Sequence, residues 1–249
     1  MIADVWTIMW KEWKELLLAQ GSGRGGLVRL GLMIGVFGVF MPLQTGREWV
    51  TSPMSLVFWA WVPLFLVVGV VADAFAGERE RHTLETLLAS RMPNRSILFG
   101  KVLAAISYGW GLTLASLLLG LIAVNVVHGH GELLLYPPLT VVAGTVLGFL
   151  TAGLAASVGV LVSLRAATVR QAAQTMSFAV IAIVCVPVAI VGALPRLFPD
   201  ISGLQVQAWL INVNWSLILV AAAAVLAVVD AVVLAAAMAR FQRAKLILD

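Results

Sequence analysis

Long uncharged runs alternate with short polar segments along this chain. Leu30 to Leu43, Met54 to Ala72, Val102 to Val127, Leu139 to Leu164 and Met176 to Leu194 carry no charge, and Ile211 to Ala239 is interrupted only by Asp230. A helix needs roughly 20 apolar residues to cross about 30 Å of hydrocarbon. The pattern therefore predicts six transmembrane helices, over 27–46, 54–72, 102–127, 139–164, 176–194 and 211–239. A β-barrel would read as strands of about 10 residues with alternating polarity. The expected fold class is an all-α polytopic membrane protein, with residues 1–249 as a single transmembrane domain.

The first 20 residues follow a different period. Trp6, Trp10, Trp13 and Leu17 recur at spacings of four, three and four, which puts them on one face of a helix. Tryptophan favours the headgroup boundary, so 1–20 reads as an amphipathic interfacial helix. The same face would also suit packing on the protein itself. Asp4, Lys11, Glu12, Lys14 and Glu15 leave no apolar core for a cleavable signal peptide. Gly21-Ser22-Gly23-Arg24-Gly25-Gly26 fits G-x-G-x-x-G, but it follows a helix and lacks the βαβ setting of a dinucleotide site. It reads as a flexible elbow.

Composition sharpens the class. Of 249 residues, 61% are hydrophobic and only 11% charged, against about 25% charged in an ordinary soluble domain. Mean hydropathy is +1.03. These values exclude a soluble enzyme, a nucleic-acid binder and a disordered chain. The one cysteine, Cys185, permits no internal disulfide and no cysteine metal cluster. The net charge of +4 gains meaning once its residues are sorted by loop. Lys11, Lys14, Arg24, Arg29, Arg79, Arg81, Arg91, Arg95, Lys101, Arg165, Arg170, Arg240, Arg243 and Lys245 fall on one side of a six-span layout. Only Arg47 and Arg196 fall on the other. The positive-inside rule then predicts a multi-pass protein of the cell membrane with both termini cytoplasmic, its basic side attracted to anionic lipid.

The second loop, Asp73 to Ser96, is the most charged segment. Leu84, Leu87 and Leu88 form a short apolar stripe, and Arg81 and Glu85 are spaced to pair at i,i+4. Pro93 stops that helix, and Asn94 or Ser96 can cap the next. A short amphipathic helix held between two spans suits docking into a groove on a soluble partner. A solvated loop, or a helix lying on lipid, would use the same residues.

The run Phe75-Ala-Gly-Glu-Arg-Glu-Arg-His-Thr-Leu-Glu-Thr-Leu-Leu-Ala-Ser90, then Met92-Pro93 and Ile97-Leu-Phe-Gly-Lys101, resembles the signature loop of ABC-2-type (type V exporter) permeases. These are membrane subunits of ATP-binding-cassette transporters. The close match covers about 27 residues, with His82 standing where the family usually has glycine before Thr-Leu-Glu. The resemblance implies that residues 78–90 form a coupling helix seated in a cleft of a separate ATPase subunit. Glu78, Arg79, Glu80, Arg81, His82 and Glu85 would supply polar contacts, and Leu84, Leu87 and Leu88 would fill the cleft. Arg165 and Arg170 would make a second, smaller contact.

No G-x-x-x-x-G-K-[ST] occurs in the chain, so it is expected to hold no cofactor and to be no enzyme. ATP and Mg would bind the partner. The resemblance implies two ATPase copies, a second permease protomer (a twin or a homologue), and a substrate path lined by spans two and five. The alternative is an ion-coupled carrier or polytopic membrane enzyme built around Asp230, but no intramembrane catalytic pair accompanies it.

Asp230 lies nine residues before Ala239, roughly 14 Å of helix. An acid at that depth costs on the order of 2.5–3.5 kcal/mol and is expected to face the bundle, as a cargo or proton site or as a structural partner of a polar group. His128, His130 and Glu132 have loose metal-ligand spacing between flanking glycines, and no metal is expected there. Gly31/Gly35 and Gly144/Gly148 are small-residue pairs for close helix contact, within a protomer or between two. Pro187 is expected to kink the fifth span, and 195–210 has room for a re-entrant helix. The sequons at Asn94 and Asn214 read as chance matches.

Overall fold

The computed structural model describes residues 1–21, 24–52, 55–197 and 214–241. They are mostly helical, with no strand among the described residues. In chain order the elements are α1 (Ile2–Gly21), α2 (Arg24–Gly35), a π-helical turn Val36–Phe40, α3 (Met41–Thr45) and α4 (Glu48–Thr51). There follow α5 (Ser55–Glu80), α6 (Leu84–Ala89), α7 (Asn94–His128), α8 (Pro138–Arg165), α9 (Val169–Leu197) and α10 (Trp215–Arg240).

Four helices are both long and apolar enough to cross a membrane among the described residues: Phe58–Glu80, Asn94–His128, Pro138–Arg165 and Ser216–Arg240. They correspond to the second, third, fourth and sixth expected spans. The first expected span contains a shorter apolar helix, Gly31–Thr45. Arg24 and Arg29 shorten its apolar run, and Pro42 disturbs it. Proline at 42 can donate no N–H to the carbonyl of Gly38 and crowds it, which accounts for the widened turn over Val36–Phe40. α9 runs through Pro187 and on past Pro195 to Leu197. The segment expected to re-enter, 195–210, falls mostly outside the described residues.

Small residues set the packing. Gly144 lies beneath the Trp59 ring, where an added Cβ would stand 2.5 Å from Cε3, and Gly159 abuts Val71. The Gly144/Gly148 pair thus serves the α5–α8 contact inside one protomer. A Cβ at Gly31 or Gly35 would meet nothing within 4 Å among the described residues, so that pair makes no close contact with them. α1 lies against α7 because position 100 is glycine: a Cβ there would come within 2.7 Å of Ile8. Ile8 is buried, Trp13 donates to Ser107 Oγ at 2.9 Å, and Trp6 and Trp10 face outward with Lys14 over the Trp10 ring. The expected single face is divided, with Trp13 turned to the protein and Trp6 and Trp10 exposed.

One end of the bundle, where α5 begins and α7 ends, is closed by Trp49, Val50, Trp59, Val124 and Tyr136, all buried. Asn125 clamps Leu134 through both its amide groups, and Arg47 pairs with Glu132 at 2.5 Å.

Candidate functional site: a divided loop and a buried charge cluster

The opposite end carries the polar residues of the second loop. α5 does not stop at Ala72 but continues to Glu80, with Gly77 tolerated inside it and no proline in that stretch. It then ends abruptly. Thr83 N–H donates to Glu78 O at 2.9 Å and His82 N–H to Arg79 O at 3.1 Å, while His82 takes a φ of 56°. This is a Schellman ending, with His82 in the left-handed position that glycine normally fills. The continuous helix expected over 78–90 is consequently two pieces, the last turn of α5 and the short α6.

That break corrects several expectations. Arg81 no longer sits one turn from Glu85 on a common helix; its guanidinium donates instead to Asp73, at 3.3 and 3.1 Å. Neither Asn94 nor Ser96 caps α7. Pro93 holds the cap position, its carbonyl accepting from Ser96 and Ile97. Leu84 is 8% exposed and joins the protein's own core, with Leu87 packed against that core. Leu84 and Leu87 thus cover the protein's own bundle, and Leu84 is not free to fill a partner's cleft. The side chain of Leu88 lies outside the described set. Exposed from 80 to 91 are Glu80, Arg81, His82, Thr83, Glu85, Thr86, Ala89 and Arg91.

His82 carries a backbone cost that glycine would not. A non-glycine residue in the left-handed region costs roughly 1–2 kcal/mol, partly offset by the entropy glycine loses on folding. His82→Gly should therefore raise the thermal midpoint, by an increment worth about 1 kcal/mol. A fall in midpoint would show that the histidine side chain contributes more than its backbone costs.

Glu78 turns inward and is 4% exposed. Thr83 Oγ1 donates to its carboxylate, and the Lys11 and Lys101 ammonium groups lie 3.2 and 3.5 Å away. Lys101, 3% exposed, also reaches Glu12 at 2.6 Å and sits 5.4 Å from the Phe75 ring centroid. Lys11 pairs further with Glu15 at 3.2 Å. Burial alone would lower the Lys11 pKa, but Glu78 and then Glu15 hold it above its ordinary value. In the same way burial pulls Arg81 down while its bond to Asp73 pushes it up. Glu12, Glu15 and Glu78 bring carboxylate oxygens within 4.8 Å of one another, but the two lysines supply the neutralising charge. α1, α5 and α7 are thereby tied together beneath the loop.

A second set of bonds ties α5 to the α8–α9 turn. Arg79 donates to the carbonyls of Ala166 and Leu164, at the C-terminal end of α8. Glu80 accepts from Val169 N–H at 2.9 Å, at the start of α9. Each charge meets the helix end that complements it. Ser163, fully buried, accepts from Phe75 and Ala76 N–H and donates to Ala72 O. Arg165 and Arg170 flank this turn and are exposed. Between α1, α5 and α6 lies an open cleft of about 770 Å³, its lining including Lys11, Glu15, Asp73, Arg81, Thr86 and Leu87.

Asp230 is brought to none of these groups. It faces α8 at Gly153, and among the described residues no donor reaches its Oδ1.

Four membrane-length apolar helices, with charge gathered at their ends, define an integral membrane protein. The sequence profile described as ABC-2 family transporter protein matches residues 64–246, and no curated protein matches the chain. The chain belongs to the ABC-2 transporter family and is a transport permease.

Proposed function

We infer that this permease is the membrane half of an ATP-driven exporter whose motor is a separate ATPase. Two permease protomers and two ATPases form the working unit. ATP and Mg bind the ATPases, and this chain holds no cofactor. Six spans place both termini and the 81–91 loop in the cytoplasm of a cell membrane. α9, 29 residues long, serves as the fifth span, and the helix over 24–45 as the first.

The observation that carries this reading is the clasp between two loops on the basic side. α6 and the turns beside it expose Arg81, His82, Glu85, Thr86, Ala89 and Arg91, while Arg79 and Glu80 at the end of α5 bond to the α8–α9 turn. A partner pressing on α6 would push α5, α8 and α9 together, transmitting nucleotide-driven closure to the spans. Arg165 and Arg170, exposed beside the clasp, extend the contact.

The geometry also selects the test. Leu84→Asp would place a charge in the protein's own core, so loss of function would say nothing about docking. Thr86→Arg combined with Ala89→Arg alters only exposed positions. The double variant should remain monodisperse and lose copurification of the ATPase subunit by at least about tenfold, a penalty of roughly 1.4 kcal/mol. Unchanged copurification would overturn the assignment of this face.

A further inference from the structure

Asp230 stands apart from everything the coupling end requires. It lies ten residues before Arg240 in the Ser216–Arg240 helix, about 15 Å of helix from that end. Such a carboxyl is rare in a spanning segment and marks a ligand or ion path by default.

Its surroundings narrow the ligand. α10 lays Asp230 against the backbone of α8 at Gly153, where an added Cβ would stand 2.9 Å from Oδ2, 3.6 Å from Cγ and 3.9 Å from Ile106 Cδ1. Oδ1 is shielded from solvent and lacks a donor among the described residues, while the residue as a whole is half-buried. α8 carries one charged residue, Arg165, about 18 Å along the helix from Gly153. On α7, Lys101 is committed to Glu12 and Glu78. The carboxylate is therefore an acceptor with no cation of its own among the described residues. One carboxylate among Gly153 and Ile106 offers a bare divalent ion too few oxygens. It suits a single-charged donor with an apolar body, because the charge is met by Asp230 and the body by the hydrocarbon-facing seam.

We propose that Asp230 is a cation subsite on the transport path, binding the protonated amine of an amphiphilic substrate that enters along the α8–α10 seam. This deepens the permease reading and rests on it. Binding is measured on the permease alone, so failure of the motor assignment shows in ATPase copurification and failure of the subsite shows here.

The permease is placed in phosphatidylcholine nanodiscs, which add no anionic lipid. It is titrated with a dansyl-labelled long-chain primary amine and with the N-acetylated form of the same molecule. The wild-type protein should bind the amine saturably and at least about tenfold more tightly than Asp230→Asn does, the scale of a charge-assisted hydrogen bond out of water. The acetylated probe should not distinguish the two. Asp230→Glu should keep much of the preference. Gly153→Ala, whose methyl displaces the carboxyl, should weaken it. Equal amine binding by wild type and Asp230→Asn, or equal preference for the acetylated probe, overturns the proposal and leaves Asp230 structural. If Asp230→Asn does not yield monodisperse protein, the Glu and Gly153→Ala variants decide by the same comparison.

Discussion

Lys101→Met should be among the most damaging single substitutions in this protein, destabilising it by about 3–5 kcal/mol. The ammonium is 3% exposed and serves Glu12 and Glu78 together. Removing it leaves the carboxylate of Glu12, whose side chain is 14% exposed, without its cation, and leaves the buried Glu78 to Lys11 alone. The cost comes from that stranded charge rather than from the lost attraction. It should appear as a sharp fall in the melting midpoint and in monodisperse yield. Adding Glu12→Gln to Lys101→Met should recover part of the loss, because the stranded charge is then removed. A midpoint within error of wild type for Lys101→Met alone would mean that the cluster holds nothing together.

Arg79→Ala should separate coupling from binding. Arg79 is the link from the end of α5 to the carbonyls of Leu164 and Ala166, and it lies away from the exposed face of α6. Transport should fall by about tenfold, within the usual range of coupling free energies, while the ATPase subunit stays bound. Arg79→Lys should not rescue fully, since one ammonium cannot reproduce a planar fork serving two acceptors. Retained transport in Arg79→Ala would show that the two loops act independently. Loss of the ATPase would place Arg79 in the interface itself.

Four of the six expected spanning helices were legible because an uncharged run of that length has few other folded outcomes. The family was legible in Phe75 to Lys101. The interior of the charged end was not. Glu78 reads as a surface residue of a charged loop, yet its partners lie 67 residues back at Lys11 and 23 ahead at Lys101, and no local period encodes such a meeting. Lys101 stood in the quoted motif without any sign of what it would face. The amphipathic stripe at Leu84 and Leu87 was readable as a stripe, but a stripe does not say whether it covers the protein's own core or another's. The helix break at 81–83 was hidden because histidine is no breaker. The family's glycine at that position was the available clue, since a left-handed residue at a helix end is the usual reason for one. The clasp of Arg79 and Glu80 onto the α8–α9 turn has no sequence signature, because it joins two loops through side chain and backbone.

The central claim is that the α6 face lies inside the cell and is covered by a separate ATPase. A Cys185→Ser background leaves no native cysteine, and Thr86→Cys then places one thiol on that face. A membrane-impermeant maleimide should label this thiol in inside-out vesicles and not in right-side-out vesicles, and bound ATPase subunit should protect it. Labelling from the outside, or labelling indifferent to the ATPase, would contradict the account.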